Sequence, residues 1–317
     1  MTEDKWLTCE DSQALLSLMF LLDTNKYQCY DDRKLRLFAC ACCRELYHDI
    51  IDAKSTHNID VAERFADGKA TNKELAAARN DTSSLHVSNG SDSLAICYSW
   101  STTEVNASIS ARYVASSRDL TKRAHILRDI IGNPFKPINI PTEWFCTIHG
   151  TKLDGVRCDD CKGMPPAGKA AKRCHWFTPD VISLAQAAYE ERETTLAQCL
   201  NCSKPGRYCG ECHGSTKRSV CTGRLDQFRL NMLADALEEA GVPPGEEVEQ
   251  DCADCKGSGM IAAPPGDIAR RWPCDSCDMQ GFVKVYDANP ILSHLRSRGP
   301  HYRGCWAIDL ILGKGVT

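Results

Sequence analysis

Residues 252–277 read CADCKGSGMIAAPPGDIARRWPCDSC. The two C-x-x-C pairs in this stretch decide how it folds. Two residues between cysteines allow a tight turn that aims both sulfurs at one ion. Two such turns supply a closed tetrahedral site, the usual arrangement for structural zinc. Glycine behind the second cysteine, in CADCKGSG (252–259) and CDMQG (277–281), permits the positive φ that such a turn needs. A packet this short cannot be held by a hydrophobic core alone, so metal is expected to be its main support.

The pattern recurs upstream. A first packet carries Cys146-x2-His149 and Cys158-x2-Cys161, with Cys174 and His175 following as spare ligands. A second carries Cys199-x2-Cys202 and Cys209-x2-Cys212, with His213 and Cys221 behind it. Thirteen of the 20 cysteines lie between Cys146 and Cys277. The expected ligands are Cys146, His149, Cys158 and Cys161, then Cys199, Cys202, Cys209 and Cys212, then Cys252, Cys255, Cys274 and Cys277. About three structural Zn²⁺ ions follow, one to a packet. Disulfides are the competing reading. The first ten residues, MTEDKWLTCE, lack the apolar core of a secretory signal. A cytoplasmic chain is therefore expected, and there paired cysteines point to metal first. The other cysteines read differently. Cys40, Cys42 and Cys43 sit in LRLFACACCREL, a helical pattern, and are expected to be small core residues. Cys9, Cys29, Cys97 and Cys305 receive the same reading.

Outside the packets the chain reads as helix. Segments are expected over 12–22, from Asp32 to about Ile51, from Ser55 or Thr56 to Gly68, and from the capping box Thr71-x-x-Glu74. A polar loop is expected at 81–92, then helices over 93–116 and 119–131. Gly132 and Asn133-Pro134 stop the last of these. Thr178-Pro179-Asp180 and Asn289-Pro290 are start signals. The fold class is mainly α: an irregular multi-helix domain interrupted by three small zinc-knuckle or zinc-ribbon insertions with short β-hairpins. The expected organisation is a helical region (1–144), a first insertion (145–177), a helix (178–196) and a second insertion (197–224). A helix (225–241), a third insertion (250–286) and a C-terminal helical segment (287–317) complete it. Strands are expected only inside the insertions. Each insertion is expected to close on its own ligands, because a helix lies between one and the next.

The helical stretches resemble a large paralogous group of helical proteins from planctomycete bacteria. The likeness is carried by DRKLRLFACACCREL (32–46), VAERFADG (61–68), LRDIIGNPFKP (127–137) and VISLAQAAYEER (181–192). LADALEEAG (233–241) and ILSHLRSRGPHYRGCWAIDLILGK (291–314) complete it. The resemblance implies a helical scaffold and brings no activity with it; the cysteine packets depart from the pattern and read as insertions at loops. The knuckles are also similar to those of the DnaJ-type zinc domain, C-x-x-C-x-G-x-G, matched in full only by 252–259. That domain pairs its knuckles in a nested way, which here would join Cys199 and Cys202 with Cys274 and Cys277. No HPD signature is present, so a co-chaperone role does not follow.

Composition bounds the function. Of 317 residues, 43% are hydrophobic and 25% charged, which excludes a disordered chain, a collagen-like repeat and a membrane bundle. The apolar run from Ala14 to Leu22 is too short to span a bilayer. No H-E-x-x-H, deaminase H-x-E or P-loop occurs, and four ligands per packet describe closed sites, so catalysis is not expected. His301, Arg303 and Asp309 lie near Cys305 in the manner of a Cys/His site, but the preferred reading has Arg303 and Asp309 flank a terminal helix that packs through Trp306 and Leu310. The net charge of −4 rules out an overall polycation. The first two packets are nonetheless locally basic, with six Lys or Arg against three Asp or Glu in 145–177 and five against one in 197–224. Zinc thiolates reduce that excess. Lys169, Lys172, Arg173, Arg207, Lys217 and Arg218 are the candidate nucleic-acid contacts, with Trp176, Phe177 and Tyr208 available for stacking. The third packet is acidic and interrupts any continuous basic groove. The expected role is a non-enzymatic zinc-binding scaffold or adaptor for a protein partner. Nucleic-acid binding is the alternative, and a zinc-thiolate redox sensor the third.

Overall fold

Two groups of helices, each around its own apolar core, frame the molecule. The computed structural model describes residues 2–22, 31–46, 53–83, 106–115, 120–136, 138, 140–146, 148, 153–154, 157–164, 166, 170–198, 217–262 and 271–314. About half of the described residues are helical, and the strands among them form small antiparallel pairs.

The first group comprises α1 (Glu3–Thr8), α2 (Ser12–Leu22), α3 (Asp32–Leu46), α4 (Ala53–Ala66), α5 (Asn72–Ser83), α6 (Ala107–Ala115) and α7 (Leu120–Ile131). Helix α3 is its axis. Residues 34–44 of α3 are buried on every side, because α4, α6 and α7 pack around it. Cys40, Cys42 and Cys43 lie in this core, and burial pushes their thiols well above the usual range. Helix α1 was not anticipated; it buries Trp6 in the same core. At the head of α5, Thr71 and Glu74 form a reciprocal cap. The Thr71 N–H donates to Glu74 Oε2 at 2.8 Å, and the Glu74 N–H donates to Thr71 Oγ1 at 3.2 Å. Helix α5 runs through Ser83, so the expected loop at 81–92 begins late; its remainder, 84–92, lies outside the described residues.

The second group holds α8 (Pro179–Glu190), α9 (Gln227–Glu239), α10 (Pro290–Leu295) and α11 (Trp306–Ile311). Val181, Ala185, Leu230, Leu233, Leu237, Ile291, Leu295 and Ile308 make its core. The starts are capped from the sequence. Thr178 Oγ1 accepts from Val181 N–H, and Asn289 Oδ1 accepts from Ile291 and Leu292 N–H.

The insertions leave these helices through paired strands. Strand β1 (Glu143–Cys146) pairs with β2 (Ala170–Arg173), β3 (Arg192–Gln198) with β4 (Lys217–Leu225), and β5 (Gly245–Asp251) with β8 (Phe282–Ala288). Inside the last pair, β6 (Met260–Ala262) meets β7 (Arg271–Pro273). Strands β3, β4, β5 and β8 are longer than the short internal hairpins expected, and β3 occupies part of the expected helix 178–196. They act as stalks. Antiparallel pairing brings the two ends of an insertion side by side, so the helical frame closes beneath it.

The C-terminal segment joins the two helical groups. Tyr302 enters the first core, although its neighbours along the chain belong to the second. Gly304 has φ +92°, and a Cβ there would lie 2.8 Å from Leu37 Cδ1. Arg303 Nε donates to Asp67 Oδ2 at 2.8 Å, and Arg33 bridges Asp67 and Asp309 at 3.1 and 2.6 Å. Tyr189 Oη donates to Asp67 at 2.7 Å. The terminal helix packs through Trp306 and Leu310, as expected, both half-buried against the second core. Its buried face is Ala307, Ile308, Asp309 and Ile311, and Arg303 and Asp309 are interior charges paired across the junction. No described helix is long and apolar enough to cross a membrane.

Candidate metal centres

Two groups of side chains among the described residues bring metal-ligating atoms together. The first is Cys252, Cys255, Cys274 and Cys277, whose sulfurs all lie within 4.8 Å of one another. Two opposed Sγ–Sγ separations, Cys252–Cys274 and Cys255–Cys277, are both 3.6 Å, the spacing of thiolates around one tetrahedral ion rather than of a disulfide. All four cysteines are buried, and among the described residues only Ile261 and Val283 are apolar side chains packed against them. So small an apolar cluster cannot hold the packet by itself.

The two knuckles mirror each other. Gly259 N–H donates to Cys255 Sγ at 3.2 Å, and Gly281 N–H donates to Cys277 Sγ at 3.3 Å. Cys252 N–H donates to the Gly281 carbonyl at 2.8 Å, and Cys274 N–H to the Gly259 carbonyl at 3.0 Å. Donors aimed at sulfur favour thiolate. The backbone N–H of Cys255, acting against burial, brings the Cys252 thiol down to about 7, whereas burial raises Cys274 and pushes Cys277 up to about 12. The glycines matter by close approach: a Cβ on Gly259 would sit 2.2 Å from the Met279 carbonyl oxygen, and one on Gly281 2.4 Å from that of Gly257. Positive φ is not confined to glycine here. The residue directly behind the second cysteine is Lys256 (φ 51°) in one knuckle and Asp278 (φ 50°) in the other.

The first packet is partly described. Cys158 and Cys161 form a turn in which Cys158 N–H donates to the Gly163 carbonyl at 2.8 Å, and Lys162 takes φ 54°, as Lys256 and Asp278 do. Cys158 and Cys174 are buried and Cys161 partly so. The backbone of Cys146 pairs with Ala170, and the Cys146 side chain and His149 lie outside the described residues. His175 is exposed, 3.9 Å from Glu143. In the second packet Cys199, Cys202, Cys209, Cys212 and His213 lie outside the described residues, as do Lys169 and Arg207 of the basic set. Lys172 and Arg173 pair through their backbones with Trp144 and Glu143, and Lys217 and Arg218 with Gln198 and Ala197. Lys217 is exposed.

The second group is Asp129, His294, His301 and Cys305, with ligating atoms again within 4.8 Å of one another. Asp129 comes from α7 in the first helical group, His294 from α10, and His301 and Cys305 from the segment between α10 and α11. His301 Nδ1 lies 2.7 Å and His294 Nε2 3.1 Å from Asp129 Oδ1. His294 Nε2 is also 3.2 Å from Cys305 Sγ. Asp129 Oδ2 accepts the Tyr302 N–H at 2.8 Å. Burial works against the Asp129 carboxylate, yet hydrogen bonds from both histidines hold it down to about 2. A cavity of about 280 Å³, lined by Trp6, His125, Asp129, His294, His301 and Trp306 among others, opens beside the group. Cys305 is the buried core residue expected, and its sulfur also faces His294. The four-residue set was not read from the sequence, which brings only His301, Arg303 and Asp309 beside Cys305, because Asp129 lies far from the other three in the chain and no spacing rule joins them. The available signal was His294 and His301 lying a few residues from Cys305, with Asp129 just ahead of GNPF.

Comparison with protein-family models, curated proteins and solved structures returns no match for this chain.

Proposed function

We propose that this chain is a non-enzymatic, zinc-binding helical scaffold that presents zinc-supported modules to a protein partner. The Cys252/Cys255/Cys274/Cys277 group carries the reading. It offers four soft ligands and no open position, which suits structural zinc. Its location supports a presenting role. The packet stands at the end of the β5–β8 stalk, and Trp272, Met279 and Tyr286 on it are exposed. Large apolar side chains on a small rigid element are the usual anchors of protein interfaces.

Native mass spectrometry of the full chain, purified without added metal, tests the site. Bound zinc is expected, and the double variant Cys255→Ser/Cys277→Ser binds one ion fewer. An unchanged count, or masses showing these cysteines joined in disulfides, overturns the zinc assignment. Salt-dependent binding to mixed RNA and DNA, lost on changing Lys172 and Arg173, would replace the protein partner with nucleic acid.

A further inference from the structure

We infer that Asp129, His294, His301 and Cys305 form a second, independent site for a divalent metal ion of the zinc class, one that bolts the two helical groups together. The ligand set is one carboxylate, two imidazoles and one thiolate, a combination suited to zinc by charge and softness. With both imidazoles neutral, the two anions cancel the charge of a divalent ion. That balance matters where Asp129, His301 and Cys305 are all buried.

The surroundings of the group suit a metal. His301 Nε2 lies 3.3 Å from the Ser297 carbonyl oxygen, an acceptor, and 3.2 Å from the Ser297 hydroxyl, which can donate or accept. With the proton on Nδ1, the 2.7 Å gap to Asp129 Oδ1 is an ordinary hydrogen bond. With the proton on Nε2, Nδ1 turns a lone pair toward Asp129 Oδ1, and a cation between the two holds them that close. A histidine that ligates metal typically donates its other N–H to a backbone carbonyl in this way. The Tyr302 N–H orients the carboxylate through Oδ2 and leaves Oδ1 for the ion. At Cys305 the backbone N–H groups of Ala307 and Ile308 point at the sulfur, as those of Gly259 and Gly281 do in the four-cysteine site. The three short separations of 2.7, 3.1 and 3.2 Å are edges of a tetrahedron that opens by about half an ångström to admit zinc at bonds of about 2.0 to 2.3 Å. The adjoining cavity gives the ion its way in past His294. Binding displaces the Cys305 thiol proton to solvent.

The rival occupant of the His301–Asp129 gap is a proton, and two measurements on the full chain separate the cases. Native mass spectrometry is expected to show one zinc fewer in Cys305→Ser and in His294→Gln than in the parent. Adding Cys255→Ser/Cys277→Ser to Cys305→Ser is expected to remove two. Because Cys305→Ser could simply unfold, the parent carries the second test. Substituted with ¹¹³Cd, it should show a resonance well upfield of the all-sulfur ones. Unchanged zinc counts in both single variants, or only sulfur-rich cadmium resonances in the parent, overturn the site.

Discussion

Glu63→Gln is expected to destabilise the helical frame by about 3 kcal/mol near neutral pH, an effect that fades in acid. Glu63 is on α4 and buried. Arg44 Nε and Nη2 donate to its two oxygens at 2.8 and 3.0 Å, and Arg192 Nη2 donates at 2.5 Å. Burial alone would raise this carboxyl, but the two guanidinium groups hold it at about 2 against an ordinary 4.5. At about 1.4 kcal/mol for each tenfold change in proton affinity, that difference is worth roughly 3 kcal/mol. The same range, about 3 to 5 kcal/mol, is typical when one partner of a buried ion pair is removed. A glutamine keeps the shape but turns an N–H toward a guanidinium. Arg44 retains its contact with Asp60, which sets the expectation at the low end.

The sign follows from the direction of the shift. The folded carboxyl lies below its unfolded value, so its stabilisation is complete above about pH 4.5 and is lost as pH falls toward 2. Urea unfolding followed by far-UV circular dichroism, on parent and variant from neutral pH to about pH 3, reads the gap directly. Acid would also release any thiolate-bound metal, but from both proteins alike, so the difference isolates Glu63. A gap below about 1 kcal/mol at neutral pH, or one that stays constant through acid, would refute the reasoning.

Gly304→Ala is expected to cost about 2 kcal/mol or more, since φ +92° strains any side chain and the new methyl meets Leu37. Gly313→Ala, with φ +63° and open space around it, should cost only about 1 kcal/mol in the same denaturation assay; equal losses would remove the contact from the argument. Asn289→Ala is expected to cost about 1 kcal/mol by uncapping α10, with Asn289→Asp recovering most of it; an alanine variant as stable as the parent would count against the cap.

What was legible in the sequence was local. Thr71 with Glu74, Thr178 with Pro179, and Asn289 with Pro290 each mark a helix start, because a cap needs only residues within one turn. The spacing in CADCKGSG similarly makes its turn without help from elsewhere. The stalk strands were hidden because RETTLAQ and GEEVEQD lack an alternating apolar face: they are held by pairing with a partner strand, not by a buried side. The Asp129 group was hidden for a different reason. Its ligands meet only after α7 and the C-terminal segment have packed, and no pattern in either segment alone specifies the other.

That difference separates two kinds of stability in the molecule. The four-cysteine site closes a short loop on itself, and among the described residues the apolar side chains packed against its sulfurs, Ile261 and Val283, come from its own hairpins. Loss of an ion bound there would remove the support of one insertion, while the β5–β8 pairing still joins the ends beneath it. The C-terminal segment does the opposite. Over 301–309 its residues reach into separate parts of the first helical group: His301 to Asp129 on α7, Arg303 to Asp67 behind α4, Gly304 to Leu37 and Asp309 to Arg33 on α3. The Arg33–Asp309 contact spans almost the whole chain, so it forms only once both groups exist, and closing so long a loop has a large entropic cost. A metal ion between Asp129 and Cys305, as proposed, would act where that cost is concentrated. The frame would then gain more from an ion at this junction than from one within the insertions, although the insertions carry most of the cysteines.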